Sequence, residues 1–528
     1  MPLDKYQEKV VNSTDKKILC LAGAGAGKSK TLLARIERLI QGGVQPFSIL
    51  ALTFTHAAAA DMRERYENDN PGKLIPEFRT FHSFSYSLIC KDYTIRTALG
   101  YDTIPDIASP EQEKELSTKA KVQCKITLPA EKLNTRIGLT RKEQWQVELY
   151  NRAYTRLLKQ NNLITFDTLN SEVSALFAAD DPATHRYKQQ YEYIFVDELQ
   201  DSDADQAAFI FSFTNSYLMG VGDALQNIYQ FRDCTNKFVK DLSNSSEWVK
   251  YKLLMNYRST TQICDYANKF SAKYADDAYR IEMIGQRDGE EVVDKRTPAP
   301  EEYTSINIDS IDDMIKDLNS LSGTSAILCR TNKEVDAISV YLAGRGIAHT
   351  TKHGTKIPRL IECALSDEYM QSYLASHLSS TKYGEYIRLT TDKAPDINWF
   401  LATYGDNTKI SADSKKILKL REISTLLISN TDKLREIRKV LKVDIPYTDQ
   451  DLFGKSLLYY IRDIVEEIKS NELYVGTIHS VKGLEYDNVC VANVGSYCFQ
   501  LGDEEMNNLF YVAITRAKNR LFVYKIGG

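Results

Sequence analysis

Two strand-length runs, residues 16–22 (apolar from Ile18 onward) and 47–54, flank an amphipathic stretch over about 29–41 that Gly42 and Gly43 stop. Unbroken hydrophobicity, rather than alternation, predicts strands buried on both faces of a parallel sheet. The 3.6-residue periodicity between them predicts a crossover helix, so the chain opens on a βαβ unit. Further apolar runs at 193–196 and 217–222 lead directly into Asp197-Glu198 and Asp223. Acids placed there stand at strand carboxyl ends, where parallel sheets bind ligands. A second set of strand-like runs follows at 324–329, 474–478, 488–492 and 520–524. Between the strands, residues 85–185 and 366–470 turn polar and helical in period, and 285–302, rich in charge, Gly and Pro, reads as a surface connection. The expected fold class is α/β, with two parallel-sheet domains that each carry a helical insertion.

Composition narrows the function classes. At 528 residues and 43% hydrophobic content the chain can bury several cores. A net charge of −4 argues against a protein that coats nucleic acid by bulk charge, so any grip on DNA must be local. No apolar run approaches the roughly 20 residues that span a bilayer, and the start Met-Pro-Leu-Asp-Lys has no signal-peptide core, so a cytoplasmic chain with no membrane partner is expected. The nine cysteines are scattered without a CxxC pair, a spacing that supports neither zinc nor an iron–sulfur cluster.

The candidate chemistry begins in the loop Ala22-Gly23-Ala24-Gly25-Ala26-Gly27-Lys28-Ser29-Lys30. Glycines there can take positive φ and turn backbone N–H groups inward onto a polyphosphate; Lys28 can reach the terminal phosphates, and the Ser29 hydroxyl can ligand Mg²⁺. Ala22 occupies the position where the generic phosphate-loop pattern has its first glycine. Of the two adjacent carboxylates, Asp197 suits Mg²⁺ and Glu198 suits activation of the attacking water. Gln226 can sense the γ-phosphate from the next strand end, although alone it would pass for a surface amide. Arg258 and Arg516 are candidate arginine fingers, each of which in isolation would read as an ordinary ion-pair residue.

Taken in order, these motifs resemble those of superfamily 1A DNA helicases of the UvrD/Rep/PcrA type, over nearly the whole chain. Residues 3–7 resemble the Q motif, Lys28 and Ser29 motif I, 52–62 motif Ia, 80–84 motif Ib, 197–201 motif II and 222–232 motif III. Residues 256–259 and 327–330 resemble motif IV, 476–485 motif V and 510–518 motif VI. The resemblance implies RecA-like motor domains, ATP and Mg²⁺ as cofactors, Gln7 on adenine, Tyr257 stacked on the base, Glu485 on the ribose, and Arg258 and Arg516 on the γ-phosphate. It also implies a single-stranded DNA track of Phe54, Tyr229 and Phe231 as stacking faces, with His82, Arg232, Arg330, Thr477 and His479 as polar contacts; core packing is the competing reading for each aromatic.

By the same resemblance the domains are motor 1A at 1–84 and 188–284, insert 1B at 85–187, motor 2A at 285–365 and 471–528, and a reduced insert 2B at 366–470. The chain departs from the family in motif Ia, where Thr55-His56-Ala57-Ala58-Ala59 replaces Thr-Asn-Lys-Ala-Ala, and in motif III, where Phe231 replaces Trp or Tyr. Since the sequence stops shortly after motif VI, no nuclease domain or partner-binding tail is expected to follow. The implied function is ATP-driven 3′→5′ translocation on single-stranded DNA with unwinding of a tailed duplex, aided by a protein loading partner. The alternative is a DNA-stimulated ATPase that serves as a sensor or regulatory subunit of a defence or repair complex.

Overall fold

The computed structural model describes residues 2–133, 139–228, 237–298, 306–319, 321–344, 349–352 and 473–526. The chain divides into two compact units, Met1–Asp288 with Asp503–Thr515, and Gly289–Gly502 with Arg516–Gly528.

The first unit is built on six parallel strands: β1 (Lys17–Ala22), β2 (Ile49–Thr53), β3 (Glu77–Thr80), β4 (Tyr193–Val196), β5 (Tyr217–Gly222) and β6 (Val249–Leu253), in the order β3-β2-β4-β5-β1-β6. The sequence runs Lys-Ile-Leu-Cys-Leu-Ala in β1 and Ile-Leu-Ala-Leu-Thr in β2 are buried almost throughout, as strands covered on both faces must be. Ile18, Cys20, Ile49, Ala51, Phe195, Met219 and Val221 meet Leu32 and Ile36 of the helix Lys28–Gln41 in one core. The edge strands β3 and β6 fall outside the apolar runs. Arg79 on one and Lys250 and Lys252 on the other mark the rims, where a charged side chain can stay in water.

The helical stretch between β3 and β4 has a core of its own. Leu116 and Ala120 on the helix Pro110–Gln123 pack against Val147, Tyr150, Ala153 and Leu157 on the helix Arg141–Gln160, and Ser109 and Thr140 start these helices with capping boxes. The next helix, Phe166–Ala178, packs through Phe177 on the helix Ala204–Phe211, the Phe177 ring lying 4.8 Å from that of Phe209.

In the second unit β7 (Val293–Thr297), β8 (Ser325–Cys329), β9 (Leu473–Thr477), β10 (Tyr486–Val494) and β11 (Ala517–Ile526) form a parallel sheet in the order β7-β11-β10-β8-β9. Its core joins Ile327, Cys490, Ala492 and Phe522 to Ile311 and Met314 of the helix Ile308–Asn319 and Ile338 and Leu342 of the helix Asn332–Gly344. The expectation of a surface connection over 285–302 is corrected here: Val293–Thr297 pairs with β11 as an edge strand, Val293 opposite Phe522 and Thr297 opposite Ile526. Its Asp, Lys and Arg misled the reading because one face of an edge strand stays solvated. The expected insert at 366–470 lies outside the described residues.

The helix Glu504–Ile514 directly precedes β11 in sequence but packs in the first unit, with Phe510 edge-on to Phe270 at 4.7 Å. Among the described residues no helix is long and apolar enough to cross a membrane.

Candidate nucleotide site and nucleic-acid face

Three neighbouring strands of the first sheet, β4, β5 and β1, end at one edge in groups that can bind or activate a phosphoanhydride. After β1 the chain turns through Gly25 at φ +68° and Gly27 at φ +74° into the helix Lys28–Gln41, whose first N–H groups therefore face the loop. Gly25 is required sterically as well, because a Cβ there would stand 2.5 Å from Arg258 Cβ. The Lys28 ammonium lies 3.3 Å from both carboxylate oxygens of Glu198, and Ser29 Oγ donates to Asp197 Oδ2 at 3.2 Å.

Electrostatics sharpen this cluster. Burial, and then the neighbouring Glu198 charge, push the Asp197 carboxyl up to about 7, a cost that a cation beside it would relieve. Burial works against charge on Lys28, yet Glu198, Asp223 and Asp197 together hold its pKa above the ordinary value. Glu198 sits in the left-handed region at φ +51°, a strained conformation for a side chain with a Cβ. At the end of β5 the buried Asp223, its pKa raised by that burial, accepts from Gln226 Nε2 at 2.8 Å. Gln226 is thus placed within the acidic group at the strand end.

The adenine-side candidates gather at the loop's other flank. Gln7 is fully buried; its Nε2 donates to Ala26 O at 3.2 Å and its Oε1 accepts the Asp4 N–H at 3.2 Å. Tyr257 O–H donates to Asp4 Oδ2 at 2.6 Å, and the Tyr257 N–H donates to Gly25 O at 2.9 Å. Burial and the Asp4 carboxylate push that phenol up to about 12. Arg258 Nη1 donates to Thr515 O at 3.2 Å.

Sequence reasoning passed over Asn256, which locks this corner. Its Nδ2 donates to Ala24 O at 2.8 Å while its Oδ1 accepts the Arg258 and Ser259 N–H groups at 2.9 and 2.8 Å. An Asn two residues before the arginine, capping N–H groups two and three positions ahead, is a turn signal the chain does display.

The nucleic-acid candidates divide between the units. In the first, half-buried Phe54 follows β2, and His82 opens the helix Phe81–Lys91 after β3, so both lie at the carboxyl edge that bears Lys28 and Glu198. Phe166, which the motifs did not single out, stands edge-on to His82 at 6.0 Å and is 57% exposed. Burial holds the His82 pKa below its ordinary value against the opposing pull of Asp203 and Asp167. Tyr229, Phe231 and Arg232 lie outside the described residues.

In the second unit, Arg330 follows β8, and Thr477 and His479 follow or end β9, adjacent strands at one carboxyl edge. Thr477 Oγ1 accepts the Ser480 N–H at 3.3 Å and caps the short helix that holds His479. Glu485 and Arg516 lie at the opposite, amino-terminal ends of β10 and β11. There Lys518 pairs with Glu485 at 2.9 Å, and Arg516 Nη1 donates to Leu484 O at 3.3 Å.

A glycine loop running from a parallel strand into a helix, with Lys-Ser at its end and an acid pair on a neighbouring strand end, defines the phosphate-loop class of α/β folds. Within that class, the profile described as the UvrD/REP helicase N-terminal domain matches residues 3–247, and that of the UvrD-like helicase C-terminal domain matches 251–365 and 361–527. The chain belongs to the UvrD/PcrA-type family of ATP-dependent DNA helicases, which are enzymes. Similar proteins include the "Probable DNA helicase II homolog" of Mycoplasma capricolum, 26% identical over all of this chain and 84% of that protein. The ATP-dependent DNA helicase PcrA of Bacillus subtilis is 25% identical over 99% of this chain and 82% of its own length. The DNA helicase II of Rickettsia typhi is 24% identical, with 99% and 91% covered.

Proposed function

We propose that this protein hydrolyses ATP on single-stranded DNA, moves along that strand 3′→5′, and separates a duplex carrying a single-stranded tail. The observation that carries the hydrolytic reading is the meeting of Lys28, Ser29, Asp197 and Glu198 within 3.3 Å contacts at the ends of β1 and β4. With nucleotide present, Lys28 leaves Glu198 for the terminal phosphates, and Ser29 and Asp197 would hold Mg²⁺, which would supply neutralising charge to the phosphates. Glu198, released from Lys28, accepts the proton of the attacking water. Gln7 and Tyr257 hold the base, Glu485 the ribose, and Arg258 and Arg516 contact the γ-phosphate.

The DNA reading rests on aromatics rather than on net charge. Phe54, Phe166 and His82 in the first unit, and Arg330, Thr477 and His479 in the second, take the strand by stacking and polar contacts, which read no sequence. Tyr229, Phe231 and Arg232 extend the same track. Residues 1–84 and 188–284 with 285–365 and 471–528 form the two motors, and 85–187 and 366–470 their inserts.

The test is strand displacement with ATP on two duplexes, one tailed 3′ and one tailed 5′, beside ATP hydrolysis on the same DNA. Displacement of the 3′-tailed duplex alone is expected. Hydrolysis without displacement on either would assign the chain the sensor role, and displacement of the 5′-tailed duplex would reverse the polarity.

A further inference from the structure

Gln200 lies just beyond the acid pair, and its side chain is tied at both ends. Nε2 donates to Glu198 Oε2 at 2.5 Å, and Oε1 accepts the backbone N–H of Asp223 at 3.0 Å, so one buried amide spans the ends of β4 and β5. The strand is shaped for it: a Cβ on Gly222 would stand 2.5 Å from Gln200 Oε1. The Gln200 carbonyl in turn accepts from Asn227 Nδ2 at 2.5 Å, and the Asn227 carbonyl accepts from Asn508 Nδ2 at 3.0 Å. Asn227 and Asn508 are both fully buried. Asn508 belongs to the helix Glu504–Ile514, and the residue that caps this helix, Thr515, receives Arg258 Nη1 at 3.2 Å.

Glu198 needs such a partner. Its backbone is in the left-handed region and its side chain is 30% exposed, so its direction is not fixed by packing alone. A buried polar group is retained without cost only when its hydrogen bonds are made, and here they are made to the two strand ends that frame the nucleotide site.

We propose that Gln200 is a positioning residue for ATP hydrolysis: its side-chain amide aims the Glu198 carboxylate and takes its bearing from the Asp223 backbone, while its main-chain carbonyl is tied through Asn227 and Asn508 to the helix Glu504–Ile514. This rests on the reading of Glu198 as the base. One helix then holds both the base, through Gln200, and Arg258, through Thr515. A shift of that helix moves two groups that act on the same phosphate, which couples their alignment.

The test uses Gln200→Met, which keeps length and volume but makes neither hydrogen bond, and Gln200→Glu, which keeps the acceptor for Asp223 and loses the donor to Glu198. Both are expected to lower kcat for DNA-stimulated hydrolysis roughly 10- to 100-fold, the effect of losing a hydrogen bond to a charged group, with KM for ATP and Kd for ADP changed by less than about 3-fold. In a Glu198→Gln background, single-turnover hydrolysis should show no further loss from Gln200→Met, since Gln200 acts through that carboxylate.

A kcat within about 2-fold of wild type, or an equal loss in both backgrounds, would overturn the proposal. Normal turnover by Glu198→Gln would instead overturn the reading of the base. If Gln200→Met loses ADP binding, Asn508→Ala decides, because it leaves the Gln200 side chain in place and cuts only the tie from its main chain, through Asn227, to the helix. A severalfold lower kcat with unchanged ADP affinity is expected, and an unchanged kcat would overturn the coupling.

Discussion

Gly25→Ala tests whether the nucleotide loop depends on close contact with the Asn256-Tyr257-Arg258 turn. The new Cβ would meet Arg258 Cβ at 2.5 Å, Asn256 Oδ1 at 3.0 Å and Arg258 N at 3.2 Å, at a φ of +68°. The left-handed backbone costs an alanine about 1–2 kcal/mol. Arg258 Cβ is the root of a side chain rather than its tip, so the turn must retreat by about 1 Å to restore van der Waals distance. That retreat strains the bonds from Tyr257 N–H to Gly25 O at 2.9 Å and from Asn256 Nδ2 to Ala24 O at 2.8 Å, each worth about 1 kcal/mol. The sum, about 3 kcal/mol, weakens nucleotide binding roughly 150-fold if the bound loop requires the native path. Gly72→Ala is the control: its φ is +76°, but no atom lies within 4 Å of the added carbon. Titration with a fluorescent ADP analogue separates the two. Equal affinities for the two variants would refute the claim that this contact shapes the site.

Three further outcomes follow from the same geometry. Arg258→Ala should lower kcat by roughly 10³ with ADP affinity little changed, and Arg258→Lys should not restore it, because a point charge lacks the planar fork; full activity in the lysine variant would remove the arginine from the γ-phosphate. Phe166→Ala should weaken single-stranded DNA binding by about 1–3 kcal/mol while DNA-free hydrolysis stays unchanged, and equal DNA affinity would return this exposed ring to a structural role. Burial lowers the His82 pKa, so as pH falls through 6.5 the unfolded chain binds a proton that the folded chain resists, and its contribution to stability falls. His82→Gln should therefore lose less stability than wild type between pH 7.5 and pH 5.5 in denaturant unfolding; an identical loss would contradict the shift.

The sheet interiors were legible because β1, β2, β4 and β5 are unbroken apolar runs, a pattern that only two-sided burial demands. The edges were not. Val249–Leu253 alternates lysine with Val, Tyr and Leu, and Val293–Thr297 carries Asp, Lys and Arg in succession, patterns that in sequence cannot be told from a solvated loop. At the site, Lys28, Ser29, Asp197 and Glu198 could be read from local pattern, since each lies in a motif whose spacing carries its chemistry. Asn256 and Gln200 could not be read in the same way. Their partners, Ala24 for one and Asp223 for the other, are distant in sequence and meet them only once the sheet has formed. Phe166 shows the same limit from the surface side: an aromatic at a helix start reads as core until the fold leaves it exposed beside His82.

The account rests most heavily on hydrolysis that Glu198 performs and single-stranded DNA stimulates. Phosphate release by the full chain, measured with and without an oligothymidylate for wild type and Glu198→Gln, tests that claim directly. Stimulated turnover is expected in wild type. Glu198→Gln should keep its affinity for ATP and lose turnover on DNA by several orders of magnitude. Turnover that DNA does not change, or a Glu198→Gln protein that hydrolyses ATP within a few-fold of wild type, would contradict the account.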